Sequence, residues 1–191
     1  MATDTRARLV ATGARLFQRQ GLAGTGIKQI LTEASAQFSS LYHHFPGGKD
    51  ELAADVIRSS GLDYQHLVEG VWDTAPDVVT SIRDVFEGAA AVLEATDYAD
   101  ACPIATVALE VASTNEPLRL ATAEVFESWI DSGTERFVAS GIDPGRARRL
   151  TFAVVALLEG AFILCRAARS IEPMASAREA AVAAVQLATQ P

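Results

Sequence analysis

The chain is predicted to be all-α. Apolar residues recur with helical spacing in almost every segment, and no run of alternating β-branched residues marks a strand. Pro103, Pro117 and Pro144 suit the first turn of a helix, where a missing N–H costs nothing, and Asn115 and Asp143 are good caps beside them. With 191 residues and 49% hydrophobic side chains, the chain is long and apolar enough to bury a real core.

Three short helices are expected at the N-terminus. The first has an apolar face and ends near Gly21, and the second runs from a cap at Thr25 or Gly26 to about Ala34. The apolar residues of these two faces are Leu9, Gly13, Leu16 and Phe17, then Ile27, Ile30, Leu31 and Ala34. Ser35 and Ala36 break the second helix, and a third follows over about 37–44. It should turn Leu41 and Phe45 inward and Phe38, Ser39, Tyr42 and His43 outward.

The rest of the chain should form a larger helical body. After the loop Pro46, Gly47 and Gly48, a fourth helix begins at Lys49 or Asp50 and continues to about Gly70. Further helices are expected at about Val78 to Ala95, Pro103 to Ala112, Pro117 to Ser140, Pro144 to Arg169 and Ala175 to Ala188. We therefore predict two domains, 1–48 and 49–191, that share the fourth helix as a rigid joint.

A short helix, a break of small residues and a third helix with a polar outer side are typical of a helix-turn-helix. In that motif the second helix lies in the major groove of DNA and its first residues contact base edges. The charge agrees with this: residues up to Lys49 include six basic and two acidic side chains, net +4, whereas the remaining 142 residues have ten basic and 22 acidic, net −12. Such polarity favours an oriented approach to phosphates. The sequence therefore predicts a DNA-binding protein.

Other classes of protein are disfavoured. The two cysteines, Cys102 and Cys165, are too few for a disulfide framework or a cysteine zinc site, and no metal or cofactor is expected. The GGK of residues 47–49 lacks the first glycine and the hydroxyl residue of a phosphate-binding loop, and adjacent His43 and His44 project in different directions, so we do not expect an enzyme.

The location is predicted to be cytoplasmic, with no membrane partner. Four arginines interrupt every apolar run near the N-terminus, which excludes a secretory signal there. The apolar stretch Leu150 to Cys165 is interrupted by Glu159 and is shorter than the roughly 20 residues that span a bilayer. We expect that stretch to be a buried helix.

The N-terminal pattern resembles the TetR family of bacterial repressors. The matching residues, in order, are Phe17, Gly21, Thr25, Ile27, Ile30, Ala34, Leu41, Tyr42, His44, Phe45, Lys49 and Leu52. The string YHHFPGGK and the later CPIA at Cys102 to Ala105 resemble the LmrA/YxaF-like branch, whose known members respond to antibiotics or flavonoids. The resemblance implies a homodimeric repressor that a small, apolar or aromatic inducer releases from a palindromic DNA operator.

The chain departs from the family at Ser35, Ala36 and Gln37, where glycine, a branched apolar residue and Ser or Thr are usual. Ser35 must then take a turn that favours glycine's positive φ, and the Gln37 amide must replace a hydroxyl cap. These departures support the main alternative, a helical ligand-binding or scaffold protein that has lost DNA binding.

Nine residues are predicted to contact DNA. Tyr42, Lys49 and Thr25 suit phosphates, whereas Gln37 and other residues of the third helix suit base edges through amide, hydroxyl or apolar contacts. The predicted set is Thr25, Lys28, Gln37, Phe38, Ser39, Ser40, Tyr42, His43 and Lys49.

The acidic body is predicted to bind the inducer and to form the dimer. Large side chains among many small ones can leave an apolar cavity between helices, and the predicted ligand residues are Phe86, Cys102, Glu110, Phe126, Trp129 and Phe162. Glu110, Glu159 and Arg166 could equally be paired core charges or dimer contacts. The last two helices should form a four-helix interface with a second copy, with Ala156 or Ala161 near the partner.

Overall fold

The structure, a computed structural model, describes residues 2–190, with side chains from Thr5 onward, and that part of the chain is all-α. Nine helices and no strands occur within it. They are α1 (Ala2–Gln20), α2 (Ile27–Glu33), α3 (Phe38–His44), α4 (Lys49–Thr74), α5 (Val78–Ala95), α6 (Pro103–Val111), α7 (Glu116–Ala139), α8 (Pro144–Ala168) and α9 (Glu172–Thr189). The predicted fold class is confirmed.

The predicted caps explain where several helices begin. Asn115 Oδ1 accepts a hydrogen bond from Leu118 N at 3.2 Å, and Asp143 Oδ1 accepts one from Arg146 N at 3.0 Å. Cys102, a predicted ligand residue, is the N-cap of α6, where Ala105 N donates to its Sγ at 3.4 Å. Two boundaries were predicted too short: α9 begins at Glu172, because proline is tolerated in a first turn, and α4 continues to Thr74 beyond an exposed glycine.

The chain divides into two compact units, each assembled from separate stretches. The first is Met1–Asp63 with Cys102–Val125, and the second is Tyr64–Ala101 with Phe126–Pro191. This differs from a division at residues 48 and 49. Leu52 and Val56 of α4 are buried, and α6 packs against α1, so both helices contribute to the first unit. The functional division of the chain at that point stays a prediction.

In the first unit, α1 is the central helix and packs against α2, α3 and α6. Leu9 and Phe17 of α1 have no exposed surface, and Ile30 of α2 and Leu41 of α3 are 1% exposed. These are the apolar positions that the helical spacing predicted to face inward. The first unit is therefore organised around one amphipathic helix.

In the second unit, α5, α8 and α9 pack together around an apolar core. Among the described residues, α8 is the one helix long and apolar enough to cross a membrane by length and composition alone, a test that core helices also pass. Leu150, Ala161 and Cys165 of α8 are buried, but Ile163 and Leu164 are more than half exposed. The prediction of a buried helix is therefore correct for one face of α8 and wrong for the other.

The part of α4 in the second unit meets α7 through polar side chains. Ser128 Oγ donates to Gln65 Oε1 at 2.7 Å, and Ser132 Oγ donates to Glu69 Oε1 at 2.8 Å. Hydrogen bonds from Gln65 and Ser132 hold the pKa of Glu69 below its usual value. Glu69 therefore stays ionised at neutral pH and is satisfied by its partners.

Two glycines of α4 provide a matched test of how closely this helix packs. Gly61 is buried, and a Cβ there would overlap the Val125 side chain, whereas a Cβ at Gly70 would meet nothing within 4 Å. We expect Gly61→Ala to lower the free energy of unfolding by about 1–2 kcal/mol through overpacking. Gly70→Ala should raise it by about 0.5–1 kcal/mol, because alanine favours the helix. Urea denaturation measures both, and equal effects would contradict the packing at Gly61.

Candidate nucleic-acid interface

The turn between α2 and α3 has the tight geometry of a helix-turn-helix. Ala34 N donates to Ile30 O at 2.8 Å, and Ala36 N donates to Leu31 O at 2.9 Å. Ser35 between them lies in the left-handed region with φ of 50°. The prediction that Ser35 must take a conformation favoured by glycine is confirmed, and this residue carries backbone strain.

Arg8 of α1 braces this turn. Its Nε donates to Ala34 O at 3.0 Å, and its Nη2 lies 3.5 Å from Ser35 O. The carbonyls at the end of a helix lack intrahelical partners and carry partial negative charge, so a guanidinium is well suited to them. Arg8 thus stabilises the strained turn from a position 27 residues away from Ser35.

The orientation of α3 agrees with the sequence prediction. Leu41 and Phe45 are each 1% exposed and face the core of the first unit. The exposed residues of α3 and its N-cap, which we call the outer face of α3, are Gln37, Phe38, Ser39, Tyr42 and His43. Ser40 and His44 lie between the two sides and are half-buried. Six of the nine predicted DNA residues therefore lie on α3 or at its cap.

Gln37 is the N-cap of α3 by backbone position, but its side chain makes no capping hydrogen bond. The prediction that its amide replaces a hydroxyl cap is wrong. The side chain is longer than serine's and points into solvent at the leading turn of the helix. Its amide is therefore available for a partner outside the chain, and amides bond adenine edges well.

Lys49, Lys28 and Thr25 differ in how exposed they are. Lys49 is half-buried, and its Nζ donates to Leu22 O at 2.6 Å, which leaves two of the three ammonium hydrogens. Lys28 on α2 is exposed. Thr25 has no exposed surface, and its hydroxyl donates to Gly21 O at 2.6 Å, so in this structure it stabilises the turn before α2.

Part of the positive charge near the N-terminus is neutralised within the chain. Arg6 Nη2 lies 2.7 Å from Asp55 Oδ2, and Arg15 forms an ion pair with Glu33. The hydrogen bond from Arg15, with a second from Gln29, holds the pKa of Glu33 below its ordinary value. Glu33 is therefore ionised at neutral pH, and Arg15 contributes less to the field around α3 than its formal charge suggests.

Glu110 has a partner that the sequence analysis did not consider. Its Oε2 accepts a hydrogen bond at 2.7 Å from Ala23 N, in the turn between α1 and α2. Gly21 of the same turn has φ of 75°, and a Cβ there would overlap the Glu110 carboxylate. Glu110 thus connects α6 to this turn by a hydrogen bond within the first unit.

Comparison with known proteins agrees with this geometry. Residues 9–56 match the family described as bacterial regulatory proteins, tetR family, and residues 78–180 match the C-terminal domain of LmrA/YxaF-like transcriptional regulators. The HTH-type transcriptional regulator YxaF of Bacillus subtilis is 33% identical over 84% of this chain and 84% of its own length. The chain belongs to the TetR family of transcriptional regulators.

Two further TetR-family proteins extend the comparison. The HTH-type transcriptional regulator LmrA of Bacillus subtilis is 29% identical over 90% of this chain and 91% of its own. The crystal structure of a TetR-family regulator from Agrobacterium tumefaciens superposes with a TM-score of 0.83 at 18% identity, covering 96% of this chain and 98% of that one. The predicted family and branch are confirmed.

In this TetR-family chain, the predicted ligand residues fall into three places. Phe86 and Phe162 lie in the apolar core of the second unit. Phe126 and Trp129 are half-buried on α7 with ring centroids 5.5 Å apart, and Tyr64 lies 6.5 Å from Trp129. The other two, Cys102 and Glu110, belong to the first unit. Their roles in binding stay a prediction.

Arg166, left open between core, dimer and ligand, is internal to the second unit. Its Nε donates to Tyr98 O and its Nη2 to Ala99 O, both at 3.2 Å. Tyr98 has φ of 60°, so the guanidinium holds a left-handed segment after α5. The contact resembles that of Arg8 with the turn at Ser35.

The strained turn at Ser35 generates a stability prediction. Ser35→Gly should raise the free energy of unfolding by about 0.5–1 kcal/mol, because glycine adopts positive φ without the cost that an L side chain incurs. Ser39→Gly, the same change within α3, should lower it by a similar amount through lost helix propensity. Thermal unfolding of the two variants beside the parent checks this, and a destabilised Ser35→Gly protein would contradict the strain.

Proposed function

We propose that this regulator is a homodimeric repressor that binds a palindromic operator in the cytoplasm. The observation that carries the proposal is the outer face of α3: Gln37, Phe38, Ser39 and His43 are exposed while Leu41 and Phe45 anchor the helix. A helix held in this way can enter a major groove without disturbing its own packing. Lys49 and Tyr42 at the end of the helix would contact flanking phosphates, with Lys28 on α2 as a further contact.

The exposed side of α8 supports the dimer. Phe152, Ile163, Leu164 of α8 and Leu187 of α9 are each at least half exposed, an arrangement that favours coverage by another apolar surface. A groove of about 520 Å³ runs between the two helices, lined by Ala156, Gly160, Leu164, Pro173 and Ala180 among others. Small residues allow close helix approach, so a second copy in two-fold arrangement is the occupant we propose.

For the inducer, we propose a small, apolar or aromatic molecule that contacts the aromatic side chains of the second unit. Tyr64, Phe126 and Trp129 are half-buried, and the Trp129 ring lies near each of the other two rings. Their partly exposed aromatic surface could contact a flat ligand. Phe86 and Phe162 belong to the apolar core of the same unit. Cys102 and Glu110 lie in the first unit and are not part of this proposed site. A ligand that binds a wider-spaced dimer more tightly would lower DNA affinity.

The alternative, a scaffold that has lost DNA binding, rests on the unusual Ser35, Ala36 and Gln37. The turn nevertheless retains its hydrogen bonds, and Arg8 supports its strained residue. The outer face also remains exposed. These observations favour DNA binding.

A mobility-shift assay on the DNA upstream of the chain's own gene, at several salt concentrations, tests the proposal. We expect binding to a short duplex that weakens steeply with salt, and weakens again with an inducing compound chosen from apolar aromatic molecules. Binding of such a compound without any DNA shift would support the scaffold alternative.

Lys49 generates a prediction about phosphate contact. Lys49→Ala should weaken binding to all duplexes and reduce the slope of log affinity against log salt by about one unit. Arg58→Ala is the control, because Arg58 lies on the same helix but is paired with Glu124 at 2.9 Å. If Lys49→Ala lowers the melting temperature but leaves the salt dependence of DNA binding unchanged, Lys49 only stabilises the fold through its hydrogen bond to Leu22 O.

The dimer prediction separates two alanines of α8. Ala156 is exposed and lines the groove, whereas Ala161 is 3% exposed and belongs to the core. Ala156→Arg should give folded monomers with sharply reduced operator affinity, since half the phosphate contacts are lost. Ala161→Arg should instead destabilise the chain itself, because the charge is buried without a partner. Sedimentation and circular dichroism distinguish the two, and a dimeric Ala156→Arg protein would place the interface elsewhere.

A further inference from the structure

Phe38 is the most unusual side chain on the outer face of α3. It is 59% exposed, more than any other Phe, Tyr or Trp that the structure describes, although large apolar side chains usually lie inside. It follows the cap Gln37 directly and therefore stands in the leading turn, the part of a recognition helix that reaches base edges.

The Phe38 ring is held in place by its neighbour one turn later. Its centroid lies 5.2 Å from that of Tyr42, with the rings tilted by 52°. Tyr42 in turn lies against Gly48, where a Cβ would stand 3.4 Å from Tyr42 Cε1. The loop at Gly48 thus packs against the Tyr42 ring, and the Tyr42 ring packs against Phe38. A ring that already packs against a neighbour loses less freedom when it makes a specific contact.

A phenyl ring has no hydrogen-bonding group, so few features of DNA suit it. Phosphate oxygens require donors or positive charge, which Phe38 lacks. On the major-groove edges of the four bases, the apolar group is the 5-methyl of thymine. Gln37 and Ser39 on either side carry the hydrogen-bonding groups that other base edges need.

We infer that Phe38 is a specificity-determining residue that contacts the 5-methyl group of a thymine in each operator half-site. The inference rests on the proposed function and refines it, because it names one chemical group that the operator must present. It also implies that 5-methylcytosine, which carries the same methyl, restores part of the contact where uracil does not. The competing role is that Phe38 only supports Tyr42, in which case its loss would affect all sequences alike.

The test uses the full chain and a duplex enriched by that chain from a random-sequence pool. Each thymine is replaced in turn by uracil, which removes the methyl and keeps the base pair. We expect about a fourfold loss of affinity at one or two positions in each half-site and no change elsewhere. This is the loss expected when one methyl group is no longer buried in the interface. In Phe38→Ala the affinity for the parent duplex should fall and the uracil scan should become flat.

Three control variants keep the test specific. Phe38→Leu retains an apolar side chain and should keep the methyl dependence, whereas Ser39→Ala, in the same turn, should leave the positions of the uracil effect unchanged. Melting temperatures confirm that all variants are folded, as expected for exposed positions. Tyr42→Phe removes the hydroxyl but keeps the ring that contacts Phe38, so it tests the ring contact separately from the hydroxyl.

The outcomes are distinct. If replacing thymine by uracil has no effect on the parent chain, or still has its effect on Phe38→Ala, this inference is overturned. The repressor proposal stands in either case as long as DNA binding depends on salt. Uniform weakening by Phe38→Ala with an unchanged scan also overturns it, in favour of the supporting role. If no duplex is enriched and none binds in a salt-dependent way, the proposed function fails and the inference fails with it.

Discussion

The packing of α3 against the core of the first unit determines everything that its outer face can do. Leu41 in the middle of α3 and Phe45 at its C-cap are each 1% exposed, whereas Phe38 and Tyr42 of the same helix are exposed. The buried pair needs α1, whose Phe17 has no exposed surface. A seven-residue helix is too short to be stable alone. Its direction, and therefore the face it offers to DNA, is set by tertiary packing.

Helical spacing is a local property of the sequence, so the structural features that depend on neighbouring residues could be predicted. The inward and outward sides of α3 and the caps Asn115 and Asp143 follow from a few consecutive residues. The left-handed Ser35 was predicted from the resemblance to the TetR family, in which glycine is usual at that position. Both faces of α8 are apolar, so spacing gave no signal that Ile163 would be exposed. The error came from treating an apolar run as evidence of burial on all sides.

Contacts between distant residues could not be predicted. Arg8 is recorded in the sequence only as one more positive charge, yet it donates to two carbonyls 26 and 27 residues later. Glu110 reaches a backbone N–H that is 87 residues away. A net charge of +4 also overstates the field near α3, because Arg6 is paired with Asp55, just beyond the residues counted. A charge count from the sequence does not show which basic side chains are paired within the chain, and those pairs reduce the positive charge that can attract DNA.

Glu110 gives the first unit a property that neither helix-turn-helix nor α6 has alone. The turn before α2 has one N–H, that of Ala23, satisfied by a carboxylate on α6. A hydrogen bond to a charged group contributes about 1.5–3 kcal/mol when well shielded, and less at this exposed site. Hydrogen bonds weaken steeply beyond about 3.5 Å, so a displacement of α6 by roughly one ångström would remove most of that contribution. Allosteric couplings are typically about 1–3 kcal/mol, so at this exposed site the contact is at or below the lower end of that range: it ties α6 to the turn before α2 but does not by itself determine the orientation of α2.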